Sequence, residues 1–298
     1  MNRKIKIGTR GSLLAVCQAE IVRDRIVGQC PQCEVEIITI KTKGDKILNQ
    51  SLDKIGGKGV FIKEIETALL DGSIDIAVHS LKDMSDDMPQ ELMLGAVLER
   101  ENPMDVLITK DGKKFSELPK GAKIGTGSLR RKLQLLSLRP DLEILPIRGN
   151  IHTRLRKMEE SMDGIVLAAA GLIRCGLKER ISYYFELDEM IPASGQGVLA
   201  LQIRSGDMEV RELVAKFNDA EADVCQKAER AFLKRIGADC HTPAGALARK
   251  QGDVLQMRAM YVMEKLHIVS GEGSLSQAEK LGVRLAEEIL EKEKGEKI

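Results

Sequence analysis

The chain has 298 residues, a length that suggests two domains with room for a smaller third, and 46 Lys+Arg against 45 Asp+Glu leave a net charge of +1, so no global attraction to nucleic acid or an anionic membrane is expected. With 43% hydrophobic and 31% charged residues the composition is that of a folded globular protein. Tryptophan is absent, and five Phe and three Tyr are too few to build the stacking platforms of a single-strand nucleic-acid binder.

The N-terminal residues alternate charged and aliphatic side chains, and no apolar run long enough for a signal peptide or a membrane span follows. A cytoplasmic location is therefore expected. In that setting Cys17, Cys30, Cys33, Cys175, Cys225 and Cys240 read as free thiols rather than as a disulfide framework. Cys30 and Cys33 have no second Cys or His pair at zinc spacing, so they read as a surface pair and no metal is expected.

Residues 3 to 7 predict a short strand, Gly8 to Gly11 a turn, and Ser12 the N-cap of a helix from Leu13. Val35 to Thr42 predicts a second strand. Gly56-Gly57-Lys58-Gly59 then precedes a helix that shares Phe61, Ile65, Ala68 and Leu69 on one face and ends at Gly72, and Ile74 to His79 reads as a buried strand. This alternation predicts an α/β domain with a largely parallel sheet.

Lys6-Ile7-Gly8-Thr9-Arg10-Gly11-Ser12-Leu13 recurs as Lys123-Ile124-Gly125-Thr126-Gly127-Ser128-Leu129 with one residue deleted. Each copy is followed by an aspartate that opens an apolar strand, Asp75 or Asp163. Two lobes on one plan are expected, with crossings near Glu101-Asn102-Pro103 and through Pro192 to Gly197, and a hinged cleft between them. From about Ala220 a helix to Ile236, a Cys/Thr/Pro/Gly loop, strand-like runs at Val254 to Met263 and Leu266 to Ser270, and a last helix predict a smaller α+β domain. Ser274 and Gln277 suggest a capping box for that helix, and Glu291 to Lys297 a solvated tail.

Between Lys123 and Lys157 stand nine basic residues, six of them arginine, against Asp141 and Glu143. Guanidinium suits bidentate binding of carboxylate or phosphate. Arg130 and Arg131 lie just inside a helix N-terminus, where the macrodipole disfavours cations, so an anion is expected to offset them. No aromatic residue lies between Phe115 and Tyr183, which favours a small polyanion over RNA or DNA. Gly125-Thr126-Gly127 lacks the third glycine of a dinucleotide fingerprint, and Lys58 is followed by Gly59 where a phosphate-binding loop needs Ser or Thr. Ser12 and Ser128 can present donors to an anion at helix N-termini, or simply cap. His79-Ser80-Leu81-Lys82-Asp83 leaves a strand where α/β folds place ligands. His79 reads as structural, and Asp83 as a carboxylate able to stabilise a cationic intermediate. Cys240 lies in the loop Gly237 to Gly245, where a thiol could be exposed and used covalently.

Taken together, Thr9-Arg10-Gly11-Ser12-Leu13-Leu14-Ala15 with Gln18, Gly56-Gly57-Lys58-Gly59-Val60-Phe61, His79-Ser80-Leu81-Lys82-Asp83, Gly125-Thr126-Gly127-Ser128-Leu129-Arg130-Arg131, and Arg148-Gly149-Asn150 with Thr153-Arg154 resemble the porphobilinogen deaminase (hydroxymethylbilane synthase) family from Ile5 to about Glu288. The resemblance implies a cytoplasmic, monomeric transferase of haem and tetrapyrrole biosynthesis. It would join four porphobilinogen molecules head to tail on a dipyrromethane bound covalently through Cys240, lose ammonia at each addition, and release linear hydroxymethylbilane by hydrolysis. It further implies Asp83 as the catalytic residue and Arg10, Ser12, Lys82, Thr126, Ser128, Arg130, Arg131, Arg148, Arg154 and Arg174 as binders of cofactor and substrate carboxylates. Lys58 and Phe61 would contribute from a cleft loop. Porphobilinogen is the implied small-molecule partner, with no nucleic acid or membrane.

The expected architecture is two similar periplasmic-binding-protein-like α/β lobes with a hinged cleft, residues 1–100 with 197–217 and residues 103–193, plus a smaller C-terminal α+β domain at 219–298. Departures from the family pattern are Gly127 in place of a common Ser, Ile173 in place of a basic residue, Met84-Ser85-Asp86-Asp87 after Asp83, and Ala238-Asp239 before Cys240. The alternative reading is a non-catalytic two-lobed receptor for a small anion.

Overall fold

The computed structural model describes residues 4–42, 62–85, 87–238 and 242–295. Lys58, Phe61 and Cys240 lie outside the described residues. The chain forms two compact units, Met1–Arg100 with Val198–Asp223 and Glu101–Gly197 with Val224–Ile298.

In the first unit β1 (Ile5–Arg10), β2 (Val35–Ile40), β3 (Ile76–Ser80), β4 (Leu92–Val97) and β10 (Leu199–Arg204) form a sheet in the order β2-β1-β3-β10-β4. The first three strands are parallel and β10 runs antiparallel to both its neighbours. Helix α1 (Leu13–Gln29) buries Gln18, Ala19, Val22 and Ile26 along one face, and α2 (Lys63–Leu70) buries Ile65 and Leu69. Strand β1 is longer than expected: Gly8, Thr9 and Arg10 pair with Ile38, Thr39 and Ile40, so the supposed turn is ladder.

The second unit repeats this plan. Strands β5 (Asp105–Thr109), β6 (Lys123–Gly125), β7 (Glu143–Leu145), β8 (Gly164–Ala168) and β9 (Tyr183–Tyr184) lie in the order β7-β6-β8-β5-β9. Strands β7, β6 and β8 are parallel, with β5 antiparallel beside them. Helices α3 (Leu129–Leu138), α4 (Ile151–Ser161) and α5 (Ala169–Arg174) follow β6, β7 and β8.

The sequence echo therefore marks equivalent strands, β1 and β6. Each is locked to its neighbour by the same device. Asp75 accepts from the Lys6 backbone N–H at 2.9 Å and returns its own N–H to the Lys6 carbonyl, and Asp163 does the same to Lys123 at 2.7 Å. Gly8 and Gly125 sit in these strands because a Cβ would lie 2.2 Å from Ile74 Cδ1 and 2.5 Å from Met162 Sδ, respectively.

Helices α6 (Met208–Ala215) and α7 (Ala220–Ile236) precede an antiparallel meander of β11 (Ala244–Gln251), β12 (Val254–Val262) and β13 (Leu266–Ser274), which α8 (Ala278–Gly295) follows. Phe232, Leu255, Leu285 and Ile289 are the centre of this smaller α+β core. Strand β11 is an addition to the expected elements. Ser274 forms no capping box: its hydroxyl lies 3.2 Å from that of Ser276, and a short 3-10 turn at Leu275–Gln277 leads into α8. The helix also continues through most of the supposed tail, supported by the Lys292–Glu288 ion pair at 2.8 Å.

Cys30 and Cys33 correct the expectation of exposed free thiols. They form a disulfide with a Cα–Cα distance of 5.4 Å and are buried in the first unit's core with Ile5, Ile26 and Val35. Cys30 ends α1, and the bond from the Cys33 N–H to the Cys30 carbonyl turns the chain so that the two side chains meet. Among the described residues no helix is long and apolar enough to cross a membrane.

Candidate active site

Parallel pairing brings the C-terminal ends of β1 and β3 to one edge of the first sheet, the edge at which α/β folds bind ligands. Arg10 ends β1, half-buried, and Ser12 caps α1 by accepting from the Ala15 N–H at 3.3 Å. Gln18 of α1 donates to Ser80 Oγ at 3.0 Å, tying the helix to the end of β3. Beyond Ser80 the chain makes a single 3-10 turn, Leu81–Asp83, closed by the Met84 N–H on the Leu81 carbonyl and anchored by the Leu81 N–H on Val198. Leu81 is buried, Lys82 half-buried and Asp83 exposed. A short, doubly anchored turn thus presents a carboxylate at the sheet edge.

His79 has the structural role expected of it. It is buried with Nε2 3.0 Å from Gln202 Oε1, and burial pushes its imidazole down to about 4 against the opposing pull of Gln202 and Asp83. It is neutral at pH 7 and supports the strand rather than carrying a charge to a ligand.

In the second unit three parallel strands end at one edge. After β6, buried Thr126 accepts from the Ser128 N–H at 3.2 Å, and Ser128 caps α3 by accepting from the Arg131 N–H at 3.4 Å. After β7, Arg148 and Gly149 lead to Asn150, which caps α4 through the Thr153 N–H at 2.9 Å. Arg154 Nε donates to the Gly149 carbonyl at 2.7 Å and Lys157 to that of Arg148 at 3.3 Å, so this loop is fixed by its own helix. After β8, α5 ends at Arg174, whose Nη2 donates to the Gly197 carbonyl at 2.6 Å. Gly127 leaves no room for a side chain without adjustment, since a Cβ would lie 2.8 Å from the Ile147 carbonyl oxygen next to Arg148.

Arg130 and Arg131 revise the argument that an external anion must offset them. Both are buried and both hold Asp105, the fully buried first residue of β5. Arg130 Nη1 lies 2.7 Å from Asp105 Oδ2, and Arg131 Nε and Nη2 lie 3.0 and 2.8 Å from Oδ1. Burial pushes the Asp105 carboxyl up, but the two guanidiniums, with Gln196, overcome it and hold it well below the usual carboxylate range. Arg131 Nη1 also donates to the Val166 carbonyl, and Arg130 Nη1 to that of Ile191.

Asp105 is the residue that sequence reasoning missed. Its signal was an aspartate heading the apolar run Val106 to Ile108, the same pattern noted at Asp75 and Asp163. Glu229 of α7 was missed as well: it is fully buried and accepts from the Gly195 and Ala248 N–H groups at 2.6 and 2.9 Å, joining the 192–197 segment to β11.

The sequence profile described as "Porphobilinogen deaminase, dipyromethane cofactor binding domain" matches residues 5–212, and that of "Porphobilinogen deaminase, C-terminal domain" matches residues 224–291. The chain is 49% identical to the porphobilinogen deaminase of Alkaliphilus metalliredigens, with 97% of this chain and 93% of the relative covered. It is 49% identical to that of Syntrophotalea carbinolica, covering 96% and 92%, and 47% identical to that of Syntrophus aciditrophicus, covering 96% and 95%. A solved methionine-binding protein, MetQ, aligns over 72% of this chain and 89% of its own at 16% identity with a TM-score of 0.46.

Proposed function

The chain belongs to the porphobilinogen deaminase family, and on that premise we propose how its residues divide the work. It is an enzyme, a transferase of tetrapyrrole and haem biosynthesis that polymerises porphobilinogen, and its cofactor is a dipyrromethane. The donor set suits that group: carboxylate side arms call for guanidiniums and for hydroxyls and N–H groups at helix N-termini, which Arg148, Arg154, Thr126 and Ser128 provide at the strand ends of the second unit. When bound, the dipyrromethane would supply a free pyrrole α-carbon as nucleophile for the first porphobilinogen; each of the three later units would join the α-carbon of the unit before it, one ammonia leaving per addition, before hydrolysis releases linear hydroxymethylbilane.

Cys240 of the C-terminal α+β domain, residues 219–298, is the covalent anchor through a thioether. Asp83 accepts pyrrole N–H donors and stabilises the positive charge that develops when ammonia leaves. The observation that carries this role is an exposed carboxylate on a rigid turn at the C-terminal end of parallel strands, backed by a neutral imidazole that does not compete for it. Arg10, Ser12 and Lys82 of the first lobe, residues 1–100 with 197–217, bind carboxylates beside it. Arg148, Arg154, Arg174, Thr126 and Ser128 do so in the second lobe, residues 103–193. Arg130 and Arg131 join them: each holds Asp105, and each guanidinium, with five donors in all, offers a further N–H to a ligand carboxylate. Lys58 and Phe61 contribute charge and packing from the 43–61 segment. The enzyme works as a cytoplasmic monomer without nucleic-acid or membrane partners, in keeping with its balanced charge.

The test is turnover. Purified protein given porphobilinogen releases ammonia in step with a linear bilane that an acid colour reaction detects. Saturable anion binding with no ammonia released would instead support the two-lobed receptor, which family membership does not favour.

A further inference from the structure

Two adjacent arginines in the first turn of one helix, both buried, repel each other and oppose the helix dipole. What holds them is a network lying wholly within the second unit. Asp105 receives bonds from both, and Gln196 Nε2 adds a third partner at 2.9 Å while also donating to the Pro103 carbonyl at 2.6 Å. The Ile191 carbonyl accepts from Arg130 Nη1 at 2.5 Å and from Gln134 Nε2 at 3.1 Å, and the Ile191 N–H returns to Gln134 Oε1 at 2.8 Å. Against the other side of Arg130 lies Gly245 of β11: a Cβ there would stand 2.9 Å from Arg130 Cδ and 2.5 Å from the Pro192 carbonyl oxygen. Strand β11 begins four residues after Cys240 in the sequence, so the aliphatic stem of Arg130 packs on the chain five residues past the anchor.

We propose that Asp105 is a positioning residue for the cofactor: its buried carboxylate fixes the Arg130 and Arg131 guanidiniums in the one arrangement that both meets the cofactor's carboxylates and seats β11 beyond Cys240. A neutral side chain of the same shape accepts hydrogen bonds but leaves two desolvated cations without a counter-charge, so both arginines turn elsewhere. The inference rests on the proposed function, since it assigns the network a duty toward the dipyrromethane.

The experiment compares intact masses of full-length wild type, Asp105→Asn and Phe115→Leu, each purified and then incubated with porphobilinogen. Phe115 is an apolar residue buried in the same unit's core, with no polar side-chain atom to give the network, so its truncation serves as a destabilised control. The expected result is an adduct-bearing fraction about tenfold lower in Asp105→Asn, with Phe115→Leu near wild type even where its melting temperature falls as far. Asp105→Asn loaded like wild type, or both variants losing adduct in proportion to lost stability, overturns the inference. If Asp105→Asn does not fold, Gln196→Met, which removes one neutral donor, carries the test at about threefold, and full loading of that variant overturns it. Wild type remaining at bare polypeptide mass refutes the proposed function itself, and this inference with it. Loaded wild type beside an unaffected Asp105→Asn refutes this inference alone.

Discussion

Asp83 stands exposed on its 3-10 turn, whereas Asp105 is fully buried and bound on both oxygens by Arg130 and Arg131. Only the former is placed to meet a ligand directly. Asp83→Asn keeps the turn and removes the charge, so adduct-bearing protein is still expected while turnover drops by about 10² or more, measured as bilane formed per loaded enzyme. His79 gives a separate handle on pH. Its imidazole is held to about 4 in the fold and titrates near 6.5 when unfolded, so the unfolded chain takes up the extra proton between those values and stability falls as pH drops through that window. The loss from this group reaches about 3 kcal/mol by pH 4. Denaturant unfolding of wild type and His79→Gln from pH 7 to pH 4 checks it: the variant lacks that part of the slope. The caps at Ser12 and Ser128 were legible in the sequence because each depends on a residue three positions away, whereas the partner that gives His79 its structural role, Gln202, lies 123 residues along the chain. Asp105 was not, because its partners lie 25, 26 and 91 residues along the chain.

Among the elements, helix α7 runs from Ala220 to Ile236 as expected because its start is a local signal, Asp219 accepting from the Ala222 N–H at 2.7 Å. Strand ends were less legible. Gly8 and Gly125 suggested turns, yet both are required by packing against a neighbouring side chain, a tertiary fact that glycine's local freedom imitates. Gly125→Ala therefore forces Met162 and Ile165 aside and costs about 1–3 kcal/mol by overpacking, read as a lower denaturation midpoint at unchanged slope. The Cys30–Cys33 bridge was hidden for a related reason: its burial follows from where α1 ends over the sheet. It closes a very short loop, so reducing it costs only about 2 kcal/mol by the chain-entropy relation, measurable as a shift in unfolding between oxidised protein and Cys30→Ser/Cys33→Ser.

At the scale of the whole molecule, one five-strand plan is built twice, with β1 and β6 in matching places and an aspartate bracketing each. The eight-residue echo disclosed that repetition, and the composition change near Ala220 disclosed the smaller domain. Charge was the more misleading guide. Within the arginine-rich stretch Asp105 neutralises Arg130 and Arg131 from inside the fold and Asp141 holds Arg139 through a fork of two 2.7 Å bonds. Counting charges along a sequence does not separate cations spent on the fold from those left for the site. The account depends on a sulfur at position 240 carrying an oligopyrrole that Asp83 and the arginines serve. The most direct test is the intact mass of wild type beside Cys240→Ala after both have met porphobilinogen. Wild type heavier by a dipyrromethane, with the variant at the mass of its bare polypeptide, is the predicted result. A variant that still carries the added mass, or a wild type that never gains it, contradicts the account.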